Sequence, residues 1–190
     1  NFGWSVAILK ETTTGNGDYA VVGAPDYDID GKSRSGAVFI YKRTVDSTTS
    51  EVQWGIKNGR ENFSNQILKC SDSNTADRFG ISVAMDENYI VVGKRGAAYI
   101  YNFDSTTKIW GVNESTSNNV STNTETTKLV PIVPPSSEYY SNVSINNGKI
   151  IVGVFNGYNF GKCYLYILKN SNWGIEVQGQ RYRTPNLQFT

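Results

Sequence analysis

The chain has 190 residues, with 18 basic and 17 acidic side chains and a net charge of +1, so charge supplies no case for a nucleic acid or an anionic membrane surface. No apolar run reaches the roughly 18 residues of a membrane-spanning helix, and no membrane insertion by this segment is expected. Histidine is absent, which removes the commonest general acid–base group and metal ligand, and with them any Ser-His-Asp, Cys-His or His-metal centre within the chain.

From the first residues onward the local signal is alternation. Phe2, Trp4, Val6 and Ile8 are spaced two apart between small or polar neighbours, which predicts a half-buried strand. A tight-turn sequence, Asn16-Gly17-Asp18, leads to Tyr19-Ala20-Val21-Val22, a short β-branched run stopped by Gly23 and predicted to be a buried strand. A longer polar loop from Asp26 to Ser35 follows, then a third strand, Ala37-Val38-Phe39-Ile40-Tyr41, and a fourth is expected near Trp54-Gly55.

The same order then repeats. Phe79, Ile81, Val83 and Met85 alternate; Glu87-Asn88 turns; Tyr89-Ile90-Val91-Val92 ends at Gly93; and the short hairpin Lys94-Arg95-Gly96 leads to Ala97-Ala98-Tyr99-Ile100-Tyr101 and on to Trp110-Gly111. A worn third copy holds Tyr139, Val143 and Ser144, the turn Asn146-Asn147-Gly148, Val152-Gly153, then Cys163-Tyr164-Leu165-Tyr166-Ile167, and Trp173-Gly174-Ile175. Gly23, Gly93 and Gly153 stand roughly 60 to 70 residues apart, a period that marks an array of supersecondary units. No stretch carries a 3.6-residue apolar period, so helix content is expected to be close to nil.

Phe2-Gly3, Gly23-Ala24-Pro25, Ser35-Gly36-Ala37-Val38-Phe39-Ile40-Tyr41 and Asp77-Arg78-Phe79-Gly80 with Gly93 resemble the FG-GAP repeat, the blade of integrin α-subunit head propellers and of many secreted proteins. The resemblance covers essentially the whole chain. It implies an all-β protein, a β-propeller of four-stranded antiparallel blades, and a use in extracellular or cell-surface recognition. Three blades are expected, at 1–68, 69–129 and a divergent 130–190, together a partial propeller. Closed propellers have four to eight blades, so the chain reads as a stretch of a longer array, or as a short arc whose exposed flanks meet further copies of itself. Leu187 is expected at the slot of Leu68 and Leu129, just before a next repeat. Phe2, Phe79 and Tyr139 are expected in equivalent buried slots between neighbouring blades.

Candidate sites are few. Asp26, Asp28 and Asp30, followed by Gly31, match the opening of a calcium loop, although Ala37 stands where the twelfth-position acid belongs; Ca2+ is the cofactor this pattern would suggest, with a solvated hairpin loop as the default. Asn62, Asn113, Asn119 and Asn142 begin Asn-x-Ser sequons, about the number that composition alone produces. Of these, Asn62, Asn113 and Asn119 are the candidate glycosylation sites; Asn113 and Asn119 lie in a polar stretch, 113–127, that reads as an exposed insertion, and Asn142 in a predicted inner strand. Trp54, Trp110 and Trp173 recur in register and are expected to be packing residues, which leaves Trp4, Tyr27, Tyr139, Tyr140 and Tyr158 as candidate ligand contacts. Cys163 takes the slot of Val38 and Ala98 and is expected to fill a small core position as a thiol; Cys70 ends an outer segment.

Together these point to a non-enzymatic extracellular scaffold or adhesion module, with other proteins, further blades or further copies as partners. The alternative is a carbohydrate-binding propeller with glycan partners. A propeller glycosidase or lyase would need paired carboxylates on one face, and the acids crowd a single loop instead.

Overall fold

The computed structural model describes residues 1–10, 17–58, 61–129, 140–155, 161–169, 172–181 and 188–189. The described residues form strands and turns and no helix. The first sheet begins with β1 (Ser5–Leu9), β2 (Tyr19–Ala24) and β3 (Ala37–Val45), an antiparallel meander with Ser5 opposite Gly23 and Gly23 opposite Val38. Its outer strand comes in two pieces. β4 (Val52–Trp54) pairs with the far end of β3; the chain then leaves the sheet as the hairpin β5 (Ile56–Asn58) and β6 (Glu61–Phe63), and β7 (Gln66–Leu68) returns to pair with Val38–Ile40.

The second sheet follows the same plan. β8 (Ser82–Met85), β9 (Tyr89–Lys94) and β10 (Ala97–Asp104) form the meander, β11 (Ile109–Trp110) pairs with the end of β10, and the hairpin β12 (Val112–Ser117) and β13 (Val120–Thr124) departs before β14 (Thr127–Leu129) returns. The third sheet has β15 (Tyr140–Asn146), β16 (Lys149–Phe155), β17 (Gly161–Lys169), β18 (Asn172–Arg181) and the short β19 (Gln188–Phe189) in that order. Asn147 and Gly148, at φ +47° and +70°, make the two-residue turn between β15 and β16 that the sequence predicts.

Trp-Gly therefore closes the outer strand fragment instead of opening a full fourth strand. Gly55 and Gly111 both have φ +81°, and a side chain on either would overlap the ring of Tyr41 or Tyr101 and the carbonyl of Phe63 or Thr124. Only glycine turns the chain out of the sheet there. In the third sheet Gly174 sits inside the continuous β18, and no hairpin leaves it.

The stretch 113–127 is a hairpin and not a loop, exposed along β12 and at Asn119 as expected but paired and partly buried along β13. β13 lies parallel to β7, with Ser121, Thr122 and Asn123 opposite Gln66, Ile67 and Leu68, so the hairpin of the second unit extends the first sheet. Its Ser/Thr/Asn composition masks a strand because the side chains it buries are polar, and the Asn123 amide donates to Gln66 of the first sheet and to Ser121.

β1 lies against β8 and β8 against β15, which stacks the three sheets face to face. One apolar cluster fills the first junction, with Val21, Val38, Ile40 and Leu68 on one side and Phe79, Val92, Tyr99 and Trp110 on the other. A second fills the next, with Val91, Ala98 and Ile100 against Ile150, Val152 and Tyr164. The middle sheet is consequently buried on both faces: residues 97–101 of β10 are all buried, whereas β2, β3 and β16 alternate.

Position in the stack decides the fate of equivalent residues. Phe79 is fully buried in the first junction, but Phe2, expected to match it, is 61% exposed, because no sheet covers the outward face of β1. Cys163 does stand at the slot of Val38 and Ala98 but is half-buried for the same reason. The residue opposite Cys163, where Leu68 and Leu129 stand opposite Val38 and Ala98, is Gly179 and not Leu187, which lies outside the described residues. Tyr139 lies outside them as well.

Phe79→Ala is expected to cost about 3–5 kcal/mol of unfolding free energy, the range for a large buried aromatic, and Phe2→Ala less than about 1 kcal/mol. Urea titrations of the two variants against the parent chain test the contrast.

Candidate interaction surface

Three contacts recur at both junctions and define how one sheet meets the next. The Ser5 hydroxyl donates to the Gly80 carbonyl at 2.8 Å, and the equivalent Ser82 hydroxyl accepts from the Val143 N–H at 3.1 Å. The Tyr19 ring meets Trp110 edge-on at 5.7 Å, and Tyr89 meets Trp173 in the same way at 5.2 Å. Gly23 lies so close beneath the Gly80 carbonyl, and Gly93 beneath that of Ser141, that a methyl group on either glycine would overlap the oxygen. Trp110 and Trp173 are thus packing residues at the junctions, as the sequence suggests; Trp54, expected to match them, is half-buried on the outward face of the first sheet.

The hairpin β12–β13 is held by a buried glutamine. Gln66 accepts from the Trp110 N–H at 2.9 Å and from the Asn123 amide at 3.1 Å, and donates to the Lys108 carbonyl at 2.9 Å. Beside it Lys69 bridges Asp30 of the first unit at 2.6 Å and Glu114 of the hairpin at 2.7 Å. Neither residue stood out in sequence, yet one signal was there: Gln66 shares the face of Leu68, so a polar side chain occupies a core position. A second unread signal is the tetrapeptide Asp-Ser-Thr-Thr at 46–49 and 104–107. Asp46 and Asp104 each accept from two following backbone N–H groups, and these turns join β3 to β4 and β10 to β11.

The three loop aspartates point to different partners. Asp26 accepts from the Asn1 amide at 2.6 Å and faces Arg78 at 3.4 Å; Asp28 accepts from the Arg34 N–H at 2.7 Å; Asp30 takes Lys69. Asp30 and Gly31, both at positive φ, form the tip of a tight turn bridged by Ile29 and Lys32. No group of three or more His, Cys, Asp or Glu side chains gathers as a metal site among the described residues. What the loop does is guide the next unit: the Ala76, Arg78 and Phe79 N–H groups donate to the carbonyls of Ser33, Arg34 and Ser35.

A second ionic cluster lies between the loop 70–78 and the second sheet. Lys94, almost fully buried, pairs with Asp77 at 2.7 Å and Asp72 at 3.2 Å, and Asp72 also takes the Tyr99 hydroxyl at 2.7 Å and the Lys128 ammonium. Burial alone would raise the Asp72 carboxyl, but Lys128, Tyr99 and Lys94 outweigh it and hold it well below the usual carboxylate range. Cys70, buried at the edge of the cluster, has its thiol pushed up to about 12 by burial and is unreactive at neutral pH. Both cysteines are free thiols.

Of the candidate ligand contacts, Trp4 and Tyr27 are exposed, and Tyr27 meets Phe39 at 5.2 Å while Phe2 meets it from another side at 5.4 Å. Tyr140 opens β15; Tyr158 and Tyr139 lie outside the described residues. Asn62, Asn113 and Asn119 are all exposed on the two hairpins, and Asn142 is exposed on β15.

A family model described as the FG-GAP repeat matches residues 64–102, from the return of the first outer strand through the meander of the second sheet. No curated protein matches the chain.

Because a depressed carboxyl contributes stability above its unfolded pKa and loses it as pH falls through the folded one, the melting temperature is expected to hold from neutral pH to about pH 4 and to drop below that. Asp72→Asn should remove about 1–3 kcal/mol at pH 7, toward the lower end because Asp72 is 41% exposed, and converge with the parent chain in acid. With the loop carboxylates already partnered by the protein, millimolar calcium or its chelation is expected to leave the melting temperature unchanged; a rise of several degrees with calcium would show a bound ion.

Proposed function

We propose that the three sheets are consecutive propeller blades, at 1–68, 69–129 and 130–190, and that the chain works as a non-enzymatic scaffold or adhesion module that binds other proteins at the cell surface or outside the cell. The observation that carries this reading is the repeated junction, Ser-to-backbone bond, Tyr–Trp contact and bare glycine. It commits the motif residues to holding blade on blade and leaves loops and flanks for recognition. The FG-GAP match at 64–102 supports it, since such repeats are protein-interaction modules. The buried Lys94 and its half-buried partners Asp72 and Asp77 satisfy one another, which fits a structural role for the cluster.

The carbohydrate-binding alternative rests on the exposed aromatics Phe2, Trp4 and Tyr27. Phe2 and Phe39, however, repeat the buried pair Phe79 and Tyr99, so they make the flank of a blade with its cover removed rather than a cleft built for a sugar ring. A glycan array probed with the chain is expected to stay blank. Saturable glycan binding that is lost in Trp4→Ala and Tyr27→Ala would put the lectin reading in its place.

A further inference from the structure

We infer that the outward face of the first sheet docks on the outward face of the third sheet of a second copy, so that the chain associates head to tail through the junction it already uses twice internally. The inference rests on the reading of the sheets as equivalent blades, and it begins with the half-interface on the first sheet, which is exposed yet already shaped. Gly3 has φ +85° against +89° for Gly80, and its N–H donates to the Gly23 carbonyl at 3.1 Å, as that of Gly80 does to Gly93. Phe2 meets Phe39 in the geometry of Phe79 with Tyr99. Val6, 68% exposed, is the counterpart of the buried Val83.

Among the described residues, the complementary half stands open on the third sheet of the same chain. Gly153 is the counterpart of Gly23 and Gly93, which each receive a carbonyl from the next sheet, and a side chain there would meet no neighbouring atom. Ile151, 48% exposed, is the counterpart of Val21 and Val91, both fully buried. Asn142 takes the place of Ser5 and Ser82 with an amide that can donate to the Gly3 carbonyl. Lys149 takes the place of Tyr19 and Tyr89, and its ammonium can lie over the Trp54 ring where the tyrosines meet tryptophan edge-on. The first face is apolar and the third mixes Ile151 and Gly153 with the donors Asn142 and Lys149, so the two are of one repeat design and of opposite hand in the stack. A heterologous contact of this kind propagates unless its rotation closes a ring.

Sedimentation equilibrium of the whole chain tests this. The parent chain should grow beyond the dimer with concentration. Val6→Glu on the first sheet and Ile151→Glu on the third should each weaken association at least about tenfold and leave monomers, since each puts a charge into an apolar contact. Gly153→Val, a strand-favouring change that blocks only the carbonyl's approach, should act like Ile151→Glu while keeping the chain folded. An equimolar mixture of Val6→Glu and Ile151→Glu retains one good face of each kind and should form a one-to-one dimer and nothing larger. A parent chain that stays monomeric at high concentration overturns the inference, as does either single variant still forming dimers by itself. If that happens while Phe79→Ala remains strongly destabilising, the blade reading stands and only the partner is wrong.

Discussion

A β-sheet whose strands are apolar on both faces gains stability from covering each of them, and the stacking of the three sheets follows from that. Val38 and Ile40 point one way along β3 while Phe39 and Tyr41 point the other, so each sheet has two sides to cover and one neighbour covers one of them. Stacking is the available solution, and among the described residues it is complete for the middle sheet, buried throughout residues 97–101 of β10. Close stacking in turn requires backbone to approach backbone, and Gly23 and Gly93 are the points where it does.

The hairpins add a second form of cohesion. Face-to-face packing is apolar and tolerant of sliding, whereas β13 against β7 is a ladder with a fixed register, tied by Gln66 to Trp110, Asn123 and Lys108. The pairing also covers the outer edge of the first sheet, which would otherwise offer unpaired backbone groups to other strands. The ion pairs of Lys69 and Lys94 link loop to hairpin and loop to sheet. Their main effect is geometric: a buried cation held by two carboxylates has few alternative positions.

The three meanders were legible because period-two alternation and glycine-stopped β-branched runs are local signals, and the strands β1 to β3, β8 to β10 and β15 to β17 fall where those signals lie. The hairpins were not. Residues 120–124, Val-Ser-Thr-Asn-Thr, read as a polar loop because, beyond the neighbouring β12, the strand they pair with is β7 in another unit, with Ser121 opposite Gln66, and no local period records a partner at that distance. The partners of the aspartate loop were hidden in a related way. Acids spaced two apart suggest an ion, but Arg78 and Lys69 arrive from the next segment of chain and take Asp26 and Asp30 separately.

Local backbone preference and side-chain alternation set the class of strand architecture, the repeat and its period, the slots of Val38, Ala98 and Cys163, and the turns at Asn147-Gly148 and Arg95-Gly96, and all of these can be read along the chain. Tertiary structure alone decided which copy of each slot is buried. Phe2 and Phe79 sit in the same motif, as do Gly153 and Gly93, yet one of each pair faces a neighbouring sheet and the other faces solvent. Burial is a property of position in the stack, and residues identical in their local surroundings carry no record of it.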